Sequence, residues 1–112
     1  MLPVKHRLVK KRDFDKIFKN GKLFNTDQFL VKSDKNNLDI SRFGFIVSKK
    51  VSNKAVIRNR IKRKIREIIR LNLDKIKPGL DIVLIVKKNM IDKSYWEIEK
   101  DIKLFLNINK FL

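Results

Sequence analysis

Nucleophilic and acid–base catalysis usually rests on histidine, cysteine or paired carboxylates, and this chain is poor in all three. His6 is the single histidine and there is no cysteine, so thiolate zinc sites and disulfides are excluded. A triad or general-base pair would have to use His6, which lies in a basic N-terminal segment, residues 1–10, expected to be mobile. The nearest carboxylate set for a metal-dependent nuclease is Asp81 with Asp101, followed by Lys103. Asp101 and Lys103 fall on a predicted helix, and nothing in the sequence brings them to Asp81. Asp13 and Asp15 bracket Phe14 and better suit the positive start of a helix. Gly21, Gly44 and Gly79 are isolated, so no glycine-rich phosphate loop exists. No reaction centre is expected in this chain.

Binding chemistry is better supplied. Between Lys54 and Leu71 stand eight cationic side chains and one carboxylate. At 100° per residue, Ile57, Ile61, Ile65 and Ile68 share one stripe of a helix, with Arg58, Asn59, Lys62, Arg63, Arg66 and Arg70 opposite. An ordinary solvated face would carry Glu partners at i,i+4, and these are missing. Over the whole chain, 29 Lys and Arg against 12 Asp and Glu give a net charge of +17 on 112 residues. Such a field gathers polyanions, and displaced counterions supply affinity that falls with salt. An acidic membrane would answer the same charge, but the narrow Ile row has no Trp or Phe to seat among head groups. Asn59 among arginines could read DNA bases, yet no helix-turn-helix pair precedes it. RNA is the leading partner, and no membrane partner is expected.

These residues must be held by one domain, 1–112, since the length suits a single core and 43% of residues are apolar. Phe14, Ile17 and Phe18 predict a helix over residues 12–20, ended by Gly21 as a left-handed cap. A hairpin follows, with Leu23 and Phe24 on one strand, Phe29, Leu30 and Val31 on the next, and Asn25-Thr26-Asp27 as the turn. Residues 33–41 read as a polar loop, and 42–51 as a strand with a basic end. The cationic helix, capped by Ser52 or Asn53, is expected to stop near Lys77-Pro78-Gly79. Ile82 to Val86 is an unbroken apolar run, the mark of a central strand covered on both faces. Ser94 and Glu97 form a capping box for a last helix. The order, helix-strand-strand-strand-helix-strand-helix, makes an α/β domain of the α+β two-layer type with one parallel pair. No apolar stretch approaches membrane length, and a cytoplasmic protein is expected.

Aromatic faces beside cations are what single-stranded RNA stacks on. Phe14 and Phe18 are one turn apart near Lys16 and Lys19, although core packing is their plainer reading on composition alone. Phe43 and Phe45 are expected to pack beneath the sheet, and Trp96 stands near the start of the last helix.

The run Ala55-Val56-Ile57-Arg58-Asn59-Arg60-Ile61-Lys62-Arg63, followed by Ile65-Arg66-Glu67, resembles the Arg-Asn-x-x-Lys-Arg-x-x-Arg signature of the bacterial ribonuclease P protein family. Lys11-Arg12-Asp13-Phe14 with Ile17-Phe18 and Gly21, then Phe29-Leu30-Val31, Gly44-Phe45-Ile46-Val47-Ser48-Lys49-Lys50 and Lys87-Lys88 resemble the family in order and spacing. The resemblance implies a left-handed βαβ crossover, against the usual right-handed rule, in a fold like the second domain of a small-subunit ribosomal protein. It also implies that an RNA subunit cleaves precursor tRNA with magnesium bound mainly by that RNA, one protein per RNA. On these positions, Arg58, Asn59, Arg60, Lys62, Arg63, Arg66 and Arg70 would dock on the catalytic RNA. Phe14, Phe18, Lys32, Lys49 and Lys87 would line a cleft for the precursor's 5′ leader. Lys32 departs from the family, which often has an aromatic there, exchanging a stacking partner for a phosphate contact. Asp34 and Asp39 are the only loop carboxylates to set against a family metal site, and none is assigned. The alternative is a structural RNA-binding protein such as a ribosomal component, which needs no leader cleft.

Overall fold

Along Phe29–Lys35 the side chains of Phe29, Val31 and Ser33 are buried while Leu30, Lys32 and Asp34 are half-buried, the period of two that commits one face of a strand to a core. The computed structural model describes residues 2–109 and 111. Met1 of the N-terminal segment, with Lys110 and Leu112 of the expected domain, lies outside the described residues. The elements run α1 (Lys11–Asn20), β1 (Lys22–Asn25), β2 (Phe29–Lys35), β3 (Arg42–Ile46), α2 (Ala55–Asn72), β4 (Leu80–Val86) and α3 (Tyr95–Ile108). The sheet order is β1-β2-β4-β3. β2 is antiparallel to β1 and β4, and β3 is parallel to β4 across the α2 crossover. The apolar run of β4 is thus an interior strand, as its composition predicts.

One sheet face, carrying Phe29, Val31, Phe43, Ile82, Leu84 and Val86, packs against Ile61, Ile65, Ile68 and Ile69 of α2 and Ile98, Ile102 and Phe105 of α3. Truncating a fully buried member such as Ile65 would cost about 2–5 kcal/mol. The opposite face is covered only in part. There Ile17 of α1 and Leu8 meet Val83, with Phe14, Ile46 and Ile85 beside them. α1 is fixed at its start by Arg42, whose guanidinium bonds both oxygens of Asp81, at 2.9 and 2.7 Å, and reaches Asp13 at 3.4 Å.

Several boundaries differ from the sequence expectation. β3 stops at Ile46, because the chain turns, with the Val51 N–H donating to the Ser48 carbonyl at 3.0 Å. Val47 and Val51 are both buried, Val51 through this turn and not through strand pairing. β2 extends into the expected loop, as Asp34 and Lys35 pair with Asp81 and Leu80. The N-cap of α2 is Lys54, with no side-chain cap bond, and neither Ser52 nor Asn53 fills the role. The helix ends at Asn72, before Pro78, and a short turn at Leu73–Lys75 follows. Gly21 is extended at φ −71°, not left-handed. A Cβ there would lie 2.4 Å from the Ile17 carbonyl oxygen, so the close approach, not the dihedral, calls for glycine. The segment before α1 is anchored instead of mobile: Leu2 is fully buried, His6 Nδ1 lies 2.7 Å from the Ser41 carbonyl oxygen, and the Leu8 N–H donates to Phe43 O at 2.9 Å. The capping box of α3 is formed as expected, with both Ser94–Glu97 bonds at 3.3 Å.

Candidate nucleic-acid interface

Burying the Ile stripe of α2 turns its cations, Arg66 excepted, away from the sheet. Asn59, Arg60, Arg63 and Arg70 are exposed, and Arg58, Lys62 and Arg66 are half-buried. Asn59, Lys62, Arg63, Arg66 and Glu67 line a shallow groove along the helix. Arg58 donates to the Ser52 carbonyl at 2.9 Å, which steadies it at the start of the helix. Arg70 is committed differently: it grips Glu67 through two bonds of 3.1 and 2.5 Å. That bond holds the Glu67 carboxyl below its ordinary range and lifts Arg70 above its own. The helix therefore does contain one local acid partner, Glu67, three residues before Arg70 and four after Arg63. Arg66 turns toward the sheet, its guanidinium carbon 6.0 Å from the Phe45 ring centroid.

A second surface forms where α1 leaves the other sheet face open. The register places Leu23, Lys32, Val83 and Gly44 in one row across the four strands. The next row is Asn25, Leu30, Ile85 and Ile46. α1 crosses the first row. Phe14 lies on Gly44, where a Cβ would be 2.6 Å from the ring, and Phe18 follows with ring centroids 6.4 Å apart and a 33° tilt. Phe14 is half-buried and Phe18 is 38% exposed, so the pair is a partly open platform at the rim of the second row. Lys32 donates to the Phe18 carbonyl at 2.7 Å, neutralising the negative end of α1. Lys87 closes the far side of the row: its ammonium bonds the Asn25 side chain and, at 2.6 Å, the Thr26 carbonyl. Lys49 is exposed in the turn after β3. Because β3 and β4 are parallel, Lys49 and Lys87 extend from the same end of the sheet.

The structure thus gathers Phe14, Phe18 and Lys32 at one wall, with Lys87 across the open row and Lys49 on a neighbouring turn. Two positioning residues escaped the sequence reading. Gly44 is the seat of Phe14, and a lone glycine between two Phe in a strand is the signal that would have found it. Arg42 ties α1 to the sheet, and the bond to Asp81 raises its pKa further. The acids weighed for metal binding have structural partners. Asp81 belongs to Arg42. Asp101 is buried and accepts from Thr26 Oγ1 at 2.6 Å and the Gln28 N–H at 3.1 Å, pinning the β1–β2 turn to α3. Among the described residues no three acidic or imidazole groups converge to hold an ion, and Asp34 and Asp39 form no such set. No helix among the described residues is long and apolar enough to cross a membrane.

Comparison with known proteins places this geometry among relatives. The family model Ribonuclease P matches residues 2–109. A ribonuclease P protein component from Clostridioides difficile (strain 630) is 47% identical over 97 residues, 86% of this chain and 84% of the relative. The component from Fusobacterium nucleatum is 43% identical over 109 residues, covering 94% of this chain and 97% of the relative. Among solved structures, a mutant RNase P protein of Staphylococcus aureus superposes with a TM-score of 0.89 at 34% identity, over 96% of this chain and 91% of that one. The RNase P protein of Thermotoga maritima gives 0.82 at 38% identity, over 89% and 94%.

Proposed function

The chain belongs to the ribonuclease P protein family, and from that premise we propose that the outer face of α2 docks on the catalytic RNA while the α1 cleft holds the 5′ leader of precursor tRNA. A member of this family is the protein subunit of a tRNA-processing endonuclease whose catalysis is RNA-based. The observation that carries the division of labour is that α1 and α2 lie on opposite faces of the sheet. One chain can therefore touch two RNA elements at once without their competing for the same cations.

The contribution of the protein is differential binding. Phe14 and Phe18 supply faces for unpaired bases, while Lys32, Lys49 and Lys87 lower the repulsion along the leader backbone. A precursor carries this segment and the mature product lacks it, so these contacts favour the substrate and let the product leave. On α2, Arg58, Asn59, Arg60, Lys62, Arg63 and Arg66 meet RNA phosphates, with Arg70 at the margin through its bond to Glu67. Magnesium supplies the hydrolytic chemistry when bound, and in this reading the RNA holds it, with no step passing through a metal on the protein. We take one protein per RNA as the working stoichiometry and the cytoplasm as the place of action.

The test compares precursor and mature tRNA. Phe18→Leu, at an exposed position, should weaken holoenzyme binding of the leader-bearing substrate about tenfold, the contribution of one stacked base, and leave mature tRNA almost unchanged. Equal losses on both ligands would remove the cleft assignment.

A further inference from the structure

At the outer edge of β3 lies a small pocket that borders the leader cleft at Phe14 and the docking face of α2 at Arg66. It is walled by Arg7 and Val9 of the N-terminal segment, Phe14 of α1, Phe45 of β3 and Arg66 of α2. β3 is the last strand in the sheet order. Phe43 turns its carbonyl outward to the Leu8 N–H, and strand alternation turns the backbone of Phe45, two residues on, the same way. Beyond Leu8 the segment leaves for α1, so an edge donor and acceptor stand beside the Phe45 ring. Arg66 supplies the charge: its Nε is buried without a hydrogen-bond partner, a condition that a bound acceptor would relieve. Neighbouring acids do not provide that acceptor, since Asp13 is held by Arg42 and Glu67 by Arg70. Arg66 also lines the groove with Asn59, Lys62 and Arg63, so the pocket adjoins the docking face. Its volume, ≈ 200 Å³, lies below that of drug-sized sites and suits a single ring system.

We infer that this pocket takes one unstacked RNA nucleotide, its base against Phe45 and Phe14 and an adjoining phosphate on Arg66 Nε. The inference rests on RNA docking along α2. The nucleotide comes either from the catalytic RNA or from the precursor leader, and both present the same chemistry.

Since the chain has no cysteine, Val9→Cys, at a position 72% exposed, gives a unique attachment point for a short aryl azide. Irradiation with catalytic RNA alone, then with precursor and mature tRNA added, should yield one crosslink to an unpaired nucleotide. Appearance with catalytic RNA alone assigns the nucleotide to that RNA, and dependence on the precursor assigns it to the leader. Crosslinks confined to paired helices, or none, would overturn the pocket. In parallel, Val9→Glu puts a carboxylate at the mouth and should weaken binding of the crosslinked RNA about tenfold, with an unchanged thermal midpoint. Arg66→Lys keeps the charge but removes the planar Nε donor, and should weaken it in the same direction. Lys62→Ala separates the two readings. If it weakens catalytic-RNA binding while a folded Val9→Glu weakens binding of neither the catalytic RNA nor the precursor, the pocket alone is rejected. If Lys62→Ala has no effect, docking along α2 is rejected. Should Val9→Glu fail to fold, the crosslink decides.

Discussion

A methyl group at Gly44 would sit 2.6 Å from the Phe14 ring, so the aromatic wall beside α1 depends on a side chain that is not there. Gly44→Ala forces the ring to shift and should cost about 1–3 kcal/mol as a small-to-large change in a packed site, read in urea unfolding. In the same variant the preference for precursor over mature tRNA should shrink, because Phe14 no longer rests on the sheet. Unaltered stability and preference would show that Phe14 has room to spare. Arg42 acts through charge instead of shape. Arg42→Met leaves Asp81, only 5% exposed, without its cation and frees the start of α1. A loss on the order of 3 kcal/mol is expected from breaking such a pair on one side, with amide exchange in α1 rising most. The arginine's raised pKa keeps its contribution present throughout neutral and acid solution, so on its side the pair does not open with pH.

The α3 cap makes a pH prediction at the scale of one element. The bonds from Ser94, backbone first, hold Glu97 below its ordinary range. A carboxyl depressed on folding stabilises above its unfolded pKa, about 4.3, and that stabilisation fades as pH falls through the folded value. Acid unfolding of Glu97→Gln should therefore be flatter below about pH 4 than that of the parent. Ser94→Ala, measured at neutral pH, should lose about 1 kcal/mol. If both variants follow the parent curve, the box contributes nothing in solution. This cap was legible because its two members are three residues apart and ahead of an apolar run. β4 and the body of α2 were legible for a similar reason, as periodicity over many residues states both type and buried face. The end of β3 was not, because Val47 and Val51 have strand-like chemistry but are buried outside strand pairing. Within the site, charge density announced α2, whereas the seat of Phe14 and the pocket at Phe45 join segments far apart in the chain. No local pattern links residues 7–9, 45 and 66.

For the molecule as a whole, +17 on 112 residues sets how binding responds to salt. If about five cations of α2 each meet a phosphate, log affinity for the catalytic RNA should fall against log salt with a slope of about −4. Removing one, as in Arg63→Ala, should reduce that slope by about 1, and an unchanged slope would take that arginine off the RNA. The same long-range charge makes controls by truncation hazardous. Leu2 is a member of the main core, held from behind by the Arg7 Nε bond to its carbonyl at 2.9 Å. Shortening the protein from its beginning, ostensibly to strip Lys5, Arg7 and Lys10, would thus extract a hydrophobic plug from the interior. Weakened RNA affinity in such a deletion would record a damaged fold, and only single-residue charge swaps along that stretch can report electrostatics.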